Sequence, residues 1–525
     1  MKNKILWLSI ASGILLSFPW VIRGTGLVLF VALIPLLFVA TSKSGNVFLQ
    51  SYPAFLIWNL LSTWWIGYVS ISGMLFIAVA NSFFMSIVWW AGFNMANRFN
   101  RLSGYFSLLV FWLSFEFISH KGALPWPWLT LGNGFASSVK MIQWYEFTGV
   151  LGGSMWILLV NIAIFECISV IRKGTTKQSW KFLAATTAIL VMPIFLSFYL
   201  YDKQTGTGKR INAVVLQPNI DPYTEKFSGM SEKQQVDRLI ALAKQSLSDS
   251  TNLIIAPETA FPPFFEDSLG IEIETIKYFW ECLRLNSGKN LIGGAITKVG
   301  SIQQGNLWQN PKSSDVGVKS FNSAFLIDDL NKIQYAHKNL LVAGVEKTPF
   351  REYLNFLPNF LIDTGGSSGE LTSGLGPVVL KMSSGDLAGP IICFESLFGD
   401  YVRKQVLNGA SFLVVLTNDG WWKRSPGSWQ HFDYARLRAI ENRRMVCQSA
   451  NTGISGYIDQ WGDVLGHSEV NNSCSIKCSL ICDNRITFYT IYGDYLGWSA
   501  LMLSFGIILH NFVRLRQKKS ALIRM

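Results

Sequence analysis

The chain has 525 residues, of which 50% are hydrophobic, 14% aromatic and only 15% charged. A soluble domain carries about 25% charged residues, so the composition excludes a disordered chain, a collagen and a small disulfide scaffold, and points to a membrane protein. The net charge of +12 would suit nucleic acid, but the basic residues fall where membrane topology and anionic lipid headgroups require them.

A helix needs ~20 apolar residues to cross the hydrocarbon. Seven such stretches precede residue 202, at 5–20, 25–40, 50–70, 72–95, 103–119, 150–171 and 182–201, and an eighth spans 491–512. Lys2 and Lys4 stand before the first run, and Phe18-Pro19-Trp20 is a poor small-residue cleavage site, so an uncleaved helix is expected rather than a signal peptide. With the N-terminus in the cytoplasm, the inside loops carry Lys43, Arg98, Arg101, Arg172, Lys173, Lys177 and Lys181. The C-terminal tail, also inside, carries Arg514, Arg516, Lys518, Lys519 and Arg524. Outside loops hold only Arg23, Lys121 and Lys140 before the polar segment. The chain therefore divides into membrane helices at 1–207, an extracytoplasmic domain at 208–487, and a last helix with a basic cytoplasmic tail at 488–525.

Within 208–487 the apolar runs shorten to strand length: Ile211–Leu216, Leu253–Ala256, Leu291–Ala295 and Phe412–Leu416. Between the first two, Val236, Leu239, Ile240, Ala243 and Leu247 recur at helical spacing over 231–248. This alternation predicts an α/β domain with functional groups at strand ends. Three residues occupy such positions: Glu258 after LIIAP, Lys338 in YAHKNLL, and Cys393 after GPII. A carboxylate, an ammonium and a thiol together suit nucleophilic acyl transfer, because the thiol is weak until a base takes its proton or a cation lowers its pKa. Taken singly, the cysteine reads as core and the glutamate as a helix start; spacing alone does not bring the three together.

Local motifs do. LQPNI at 216–220, APET at 256–259, FNSA at 321–324, CFES at 393–396, TNDGWW at 417–422, WQHFDYARLRAIENRR at 429–444, NTGISGYID at 451–459 and IYGDYLGW at 491–498 resemble the nitrilase (carbon–nitrogen hydrolase) superfamily. Seven helices before such a domain and one after it resemble, more closely, the apolipoprotein N-acyltransferase family. The resemblance implies an αββα sandwich with Cys393 as nucleophile and thioester carrier, Glu258 as general base and Lys338 as oxyanion stabiliser. It implies supporting roles for Glu346 and Glu395 and a substrate-pocket contact for Asn322. Phe394 stands where the family usually has Tyr. The family's Pro-Phe-Gly-Glu is not at its usual spacing after the lysine: the chain reads LVAGVEK at 341–347 and PFREY at 349–353, so Glu352 is the alternative to Glu346. Phe227 takes the place of a family Trp.

The implied activity takes a fatty acyl chain from a phospholipid donor to the α-amine of a diacylated apolipoprotein acceptor. The implied setting is the bilayer of a bacterial inner membrane, with the catalytic domain periplasmic and the protein monomeric; no nucleic acid, cofactor or metal is expected. A membrane-anchored amidase with the same three residues is the rival enzyme, and a transporter or receptor the rival of another class; the latter predicts ionisable residues deep in the helices, which are few. The loop ALPWPWLTLGNGFA at 123–136 is expected near the site, as an interfacial aromatic belt or in contact with substrate, with Glu116 and Glu146 flanking it near helix ends. Cys474, Cys478 and Cys482 read as a strand without a zinc pattern, Cys167, Cys282 and Cys447 as packing residues, and His431 as structural; His337 too has a bland reading, with tuning of the adjacent Lys338 as the alternative.

Overall fold

The computed structural model describes residues 2–42, 45–98, 100–172, 176–201, 208–226, 229–266, 274–283, 288–300, 318–330, 332–348 and 371–523. Phe227 and Glu352 lie outside them. The chain forms two compact units: one of Met1–Gly67, Ile71–Tyr201 and Tyr492–Met525, the other of Tyr68–Ser70 and Asp202–Ile491.

The first unit is helical. Among the described residues, six helices are long and apolar enough to cross a membrane, within Asn3–Val21, Ile71–Met95, Arg101–Ser119, Tyr145–Arg172, Trp180–Leu200 and Tyr495–Gln517. Two of the eight expected spans are built differently. Val47–Thr63 has 17 residues and passes into a 3-10 turn at Trp64–Tyr68. The 25–40 stretch is broken into Gly26–Val28, Leu29–Ala32 and Ile34–Thr41. Pro35 is the physical reason, since proline has no N–H and its ring clashes with the carbonyl four residues back. The interrupted backbone is met by buried Asn161, whose Oδ1 accepts from Leu33 N at 2.9 Å and whose Nδ2 donates to Leu29 O at 2.7 Å.

The 123–136 loop also departs from expectation. Trp128, Leu129, Leu131 and Phe135 are buried, so the loop packs inward instead of forming a belt. Its backbone is satisfied from within: Leu131 N donates to Glu116 Oε1 at 2.8 Å, Gly132 N to Ser154 Oγ at 3.0 Å, and Asn133 Nδ2 to Pro127 O at 3.0 Å. Glu116 is therefore a buried anchor for the loop, not a group facing water.

The second unit is an α/β sandwich. Its strands are β1 (Arg210–Gln217), β2 (Leu253–Ile255), β3 (Phe261–Phe265), β4 (Asn290–Val299), β5 (Lys319–Ile327), β6 (Ile333–His337), β7 (Leu380–Lys381), β8 (Leu387–Ile392), β9 (Phe412–Thr417), β10 (Val446–Ala450), β11 (Gly456–Ile458), β12 (Val464–His467) and β13 (Cys474–Ile481). One sheet runs β13-β1-β2-β4-β5-β6, with β3 on β4; the other runs β12-β11-β10-β9-β8-β7. Period-2 alternation divides each strand between two cores. Val214, Leu216, Ile254 and Leu291 pack under the helix Glu232–Ser246 and against Phe279 and Trp280 of Glu274–Cys282. Val215, Ile255, Ile292 and Leu326 face Ile392, Val414 and Leu416 of the second sheet. Helices Gly399–Leu407 and Pro426–Asn442 follow β8 and β9 in the chain. Fully burying a Val, Leu or Ile contributes ~1.5–3 kcal/mol, so this doubly lined core fixes the strand ends that carry the site. Cys478 faces the inter-sheet core with its sulfur 3.8 Å from that of Cys447, and all seven cysteines are unbridged.

Candidate active site

Glu258, Lys338 and Cys393 each follow a strand end, where a fixed backbone stops and a side chain is free to project. Glu258 follows β2, and Gly294 on the parallel neighbour β4 passes so close that a Cβ there would meet Thr259 N at 2.6 Å, Glu258 Cα at 2.7 Å and Pro257 O at 2.7 Å. All three are backbone atoms, so only glycine admits this approach. Lys338 follows β6, and its N–H donates to Asn322 O of β5 at 2.8 Å. Cys393 follows β8 with a φ of 50°, left-handed backbone that a non-glycine residue holds only when its surroundings enforce it.

The side chains converge. Lys338, 1% exposed, donates from Nζ to Glu346 Oε1 at 2.8 Å and to Glu258 Oε1 at 3.3 Å. Asn322 Nδ2 donates to the same two oxygens, at 2.8 Å for Glu258 and 3.0 Å for Glu346. Asn322, expected as a substrate contact, bridges the two carboxylates through its Nδ2. Glu346 Oε2 accepts from Val342 N at 2.8 Å, which folds the segment after Lys338 back onto its own ammonium. Burial opposes the Lys338 charge, but Glu346 and Glu258 override it and hold the ammonium well above its ordinary range. At Cys393, burial and the Glu258 charge push the thiol up, while Lys338 and a hydrogen bond with Thr417 pull the other way. The resting sulfur is thus a protonated thiol beside a carboxylate and an ammonium.

Glu395 ties the two halves of this arrangement together. Its Oε1 accepts from Asn339 N at 2.6 Å and Leu340 N at 3.3 Å, and its Oε2 from Ile392 N at 2.8 Å. One carboxylate thus joins the residues after Lys338 to the residue before Cys393. Burial pushes this carboxyl up to about 7, against three N–H donors that favour its ionised form. In Glu395→Gln an NH₂ must face at least one of those N–H groups, whichever way the amide turns. The expected result is a loss of ~1–3 kcal/mol in stability with a fall in Cys393 acylation, checked by thermal unfolding and by the rate of acyl-enzyme formation; an unchanged unfolding midpoint would refute the brace. Phe394 packs edge-on against Phe398, with ring centroids 5.1 Å apart.

Sequence reasoning missed two neighbours. Lys226, buried, donates from Nζ to Thr259 Oγ1 at 2.6 Å and Glu258 O at 3.4 Å; burial brings its ammonium down to about 8, opposed by the Glu258 charge. Asp419 accepts from Thr417 Oγ1 at 2.8 Å and lies 2.9 Å from His431 Nδ1. Asp419 stands two residues beyond β9, the kind of strand-end position that singled out Glu258 and Cys393. His337 reaches Ser323 Oγ and Glu266 rather than Lys338. Among the described residues no group of His, Cys, Asp or Glu is arranged to hold a metal ion.

Two sheets back to back, with a glutamate, a lysine and a cysteine gathered from three strand ends, are the marks of a carbon–nitrogen hydrolase domain, and residues 213–473 match the carbon-nitrogen hydrolase family model. Residues 12–163 match a second model, the apolipoprotein N-acyltransferase N-terminal domain. Curated relatives extend the match along the chain. The apolipoprotein N-acyltransferase of Chlorobaculum tepidum is 27% identical over 98% of this chain and 98% of its own. That of Geobacter metallireducens is 25% identical over 75% and 72%, and that of Rickettsia typhi 25% over 85% and 87%. The chain belongs to the apolipoprotein N-acyltransferase family.

Proposed function

We propose that the protein N-acylates lipoproteins in two half-reactions through a thioester on Cys393. The observation that carries this is the Glu258–Lys338–Cys393 cluster in a chain whose likeness to apolipoprotein N-acyltransferases spans 98% of its length. In the first half, Glu258 takes the Cys393 proton and the sulfur attacks an ester carbonyl of a phospholipid. Lys338 stabilises the oxyanion, the S–C bond forms, the C–O bond breaks, and the proton passes to the departing lysophospholipid hydroxyl. In the second, the α-amine of a diacylglyceryl-cysteine attacks the thioester; an amide forms, the C–S bond breaks, and the amine's proton returns to sulfur through Glu258. Glu346 and Glu395 hold Lys338 and the Cys393 turn in place.

The donor and acceptor are both bilayer molecules, which accounts for apolar helices on both sides of the catalytic domain. The Lys and Arg bias supports cytoplasmic termini and a periplasmic domain in a bacterial inner membrane, with eight crossings if Val47–Thr63 and the broken 26–41 segment both span. The working unit is taken as a monomer.

Intact-mass measurement of the full chain, incubated with a defined phospholipid and no acceptor, tests this. A fatty-acyl mass gain is expected, released by neutral hydroxylamine, absent in Cys393→Ala and discharged by a diacylated lipopeptide. No gain on folded protein across several phospholipids would overturn it, and hydrolysis of a small amide would then favour the amidase.

A further inference from the structure

The left-handed backbone at Cys393 needs something to hold it, and the surroundings of its carbonyl supply it. Two groups converge on Cys393 O. Ser396 Oγ donates to it at 2.8 Å. His431, 1% exposed on the helix Pro426–Asn442, places Nε2 at 3.2 Å from the same oxygen and 2.8 Å from Ser396 Oγ. The other ring nitrogen, Nδ1, lies 2.9 Å from Asp419 Oδ1. Trp422, from the same turn as Asp419, packs edge-on against the ring with centroids 5.7 Å apart.

Protonation follows from the partners. A carboxylate only accepts, so Nδ1 carries a hydrogen toward Asp419; a peptide carbonyl only accepts, so Nε2 holds the Cys393 carbonyl in the doubly protonated ring, the form that Asp419 favours. In that form the ring charge is met by the fully buried Asp419 side chain. Burial disfavours that charge, but Asp419 outweighs it and holds the imidazole above its ordinary range. Asp419 itself is fixed by Thr417 Oγ1, whose hydroxyl also reaches the Cys393 thiol. A closed path therefore runs from the thiol through Thr417, Asp419 and His431 back to the carbonyl of the same cysteine.

We infer that His431 is a positioning residue for the nucleophile: held by Asp419, its Nε2–H fixes the Cys393 carbonyl and with it the left-handed turn that aims the sulfur at the acyl carbonyl. The inference rests on the reading of Cys393 as nucleophile. His431 touches no reacting atom, and its effect is on geometry; displacing a reacting group by ~1 Å costs about 100-fold in rate.

The test uses the full chain in detergent and compares His431→Leu, which fills the space without a donor, with His431→Gln, whose amide keeps an N–H at similar reach. Acyl-enzyme formation is followed over a range of phospholipid concentrations, beside thermal unfolding. His431→Leu is expected to lower the saturating rate about 100-fold while the half-saturating donor concentration stays unchanged, and His431→Gln to recover most of it. If Leu fails to fold, His431→Asn, whose shorter amide does not reach the carbonyl, replaces it and is expected to lose the same rate. Equal rates for the donor and non-donor variants, or losses that follow only the folded fraction, would overturn the inference. A wild-type protein that forms no thioester would instead remove the reading beneath it.

Discussion

Lys338→Met is expected to slow acyl transfer steeply and to lower the stability of the catalytic domain at once. The ammonium sits at 1% exposure between Glu346 and Glu258, and a methionine side chain supplies no charge in its place. Two carboxylates then face each other without a cation, an arrangement that costs ~3–5 kcal/mol when one partner of a buried pair is lost. The rate suffers separately, because loss of an oxyanion-stabilising charge costs ~10²–10³-fold. Thermal unfolding and burst measurement of the acyl-enzyme read the two effects independently. A variant that keeps the wild-type midpoint would show that the lysine is not paired as described.

Glu258→Gln should separate those effects. The ammonium and two carboxylates of the cluster carry a net charge of −1; the amide makes the set neutral. Its oxygen still accepts from Lys338 Nζ and Asn322 Nδ2, the two donors that Glu258 Oε1 now receives. Stability is therefore expected to hold or rise. Acyl-enzyme formation is expected to fall ~10²–10⁴-fold, the usual worth of a positioned general base, since a neutral amide takes no proton from the thiol. A fall in stability together with activity would mean that the carboxylate is chiefly structural. Measured side by side, both variants should lose rate while only the Lys338 variant lowers the unfolding midpoint, a pattern that general loosening of the site does not produce.

The strands around Glu258 and Cys393 were readable because both sheets are buried on two faces, so they appear as short unbroken apolar runs such as LIIA and FLVVL. Glu258, Lys338 and Cys393 were legible as strand-end residues, but their meeting was not: it depends on two sheets packing face to face, which no local spacing encodes, and family motifs supplied it. Asn322 shows the limit of motif reasoning. Its place in FNSA marked it as important, whereas its bridge between Glu258 and Glu346 depends on the register of β5 beside β4 and β6. In the helical unit, hydropathy marked the 25–40 stretch as one span; the break at Pro35 is tolerated only because Asn161, more than a hundred residues away, meets the freed backbone. The inward packing of 123–136 was hidden for the same reason, since its hydrogen-bond partners Glu116 and Ser154 lie on other helices. His431 was read as structural, and its link to the Cys393 carbonyl is a contact between a helix and a turn 38 residues apart.

The sharing of one ammonium by two carboxylates bears on how the site meets the solvent. In each proposed half-reaction the proton that leaves a nucleophile, sulfur or amine, is the one that the departing group collects, and Glu258 only carries it across. Between steps the pocket regains the protonation with which it began. For an acceptor amine that arrives uncharged, no proton has to be exchanged with bulk water, so on that fraction of acceptor neither half-reaction should respond to buffer concentration. An enzyme that must keep a thioester from hydrolysis thereby runs its proton traffic with the door to water shut.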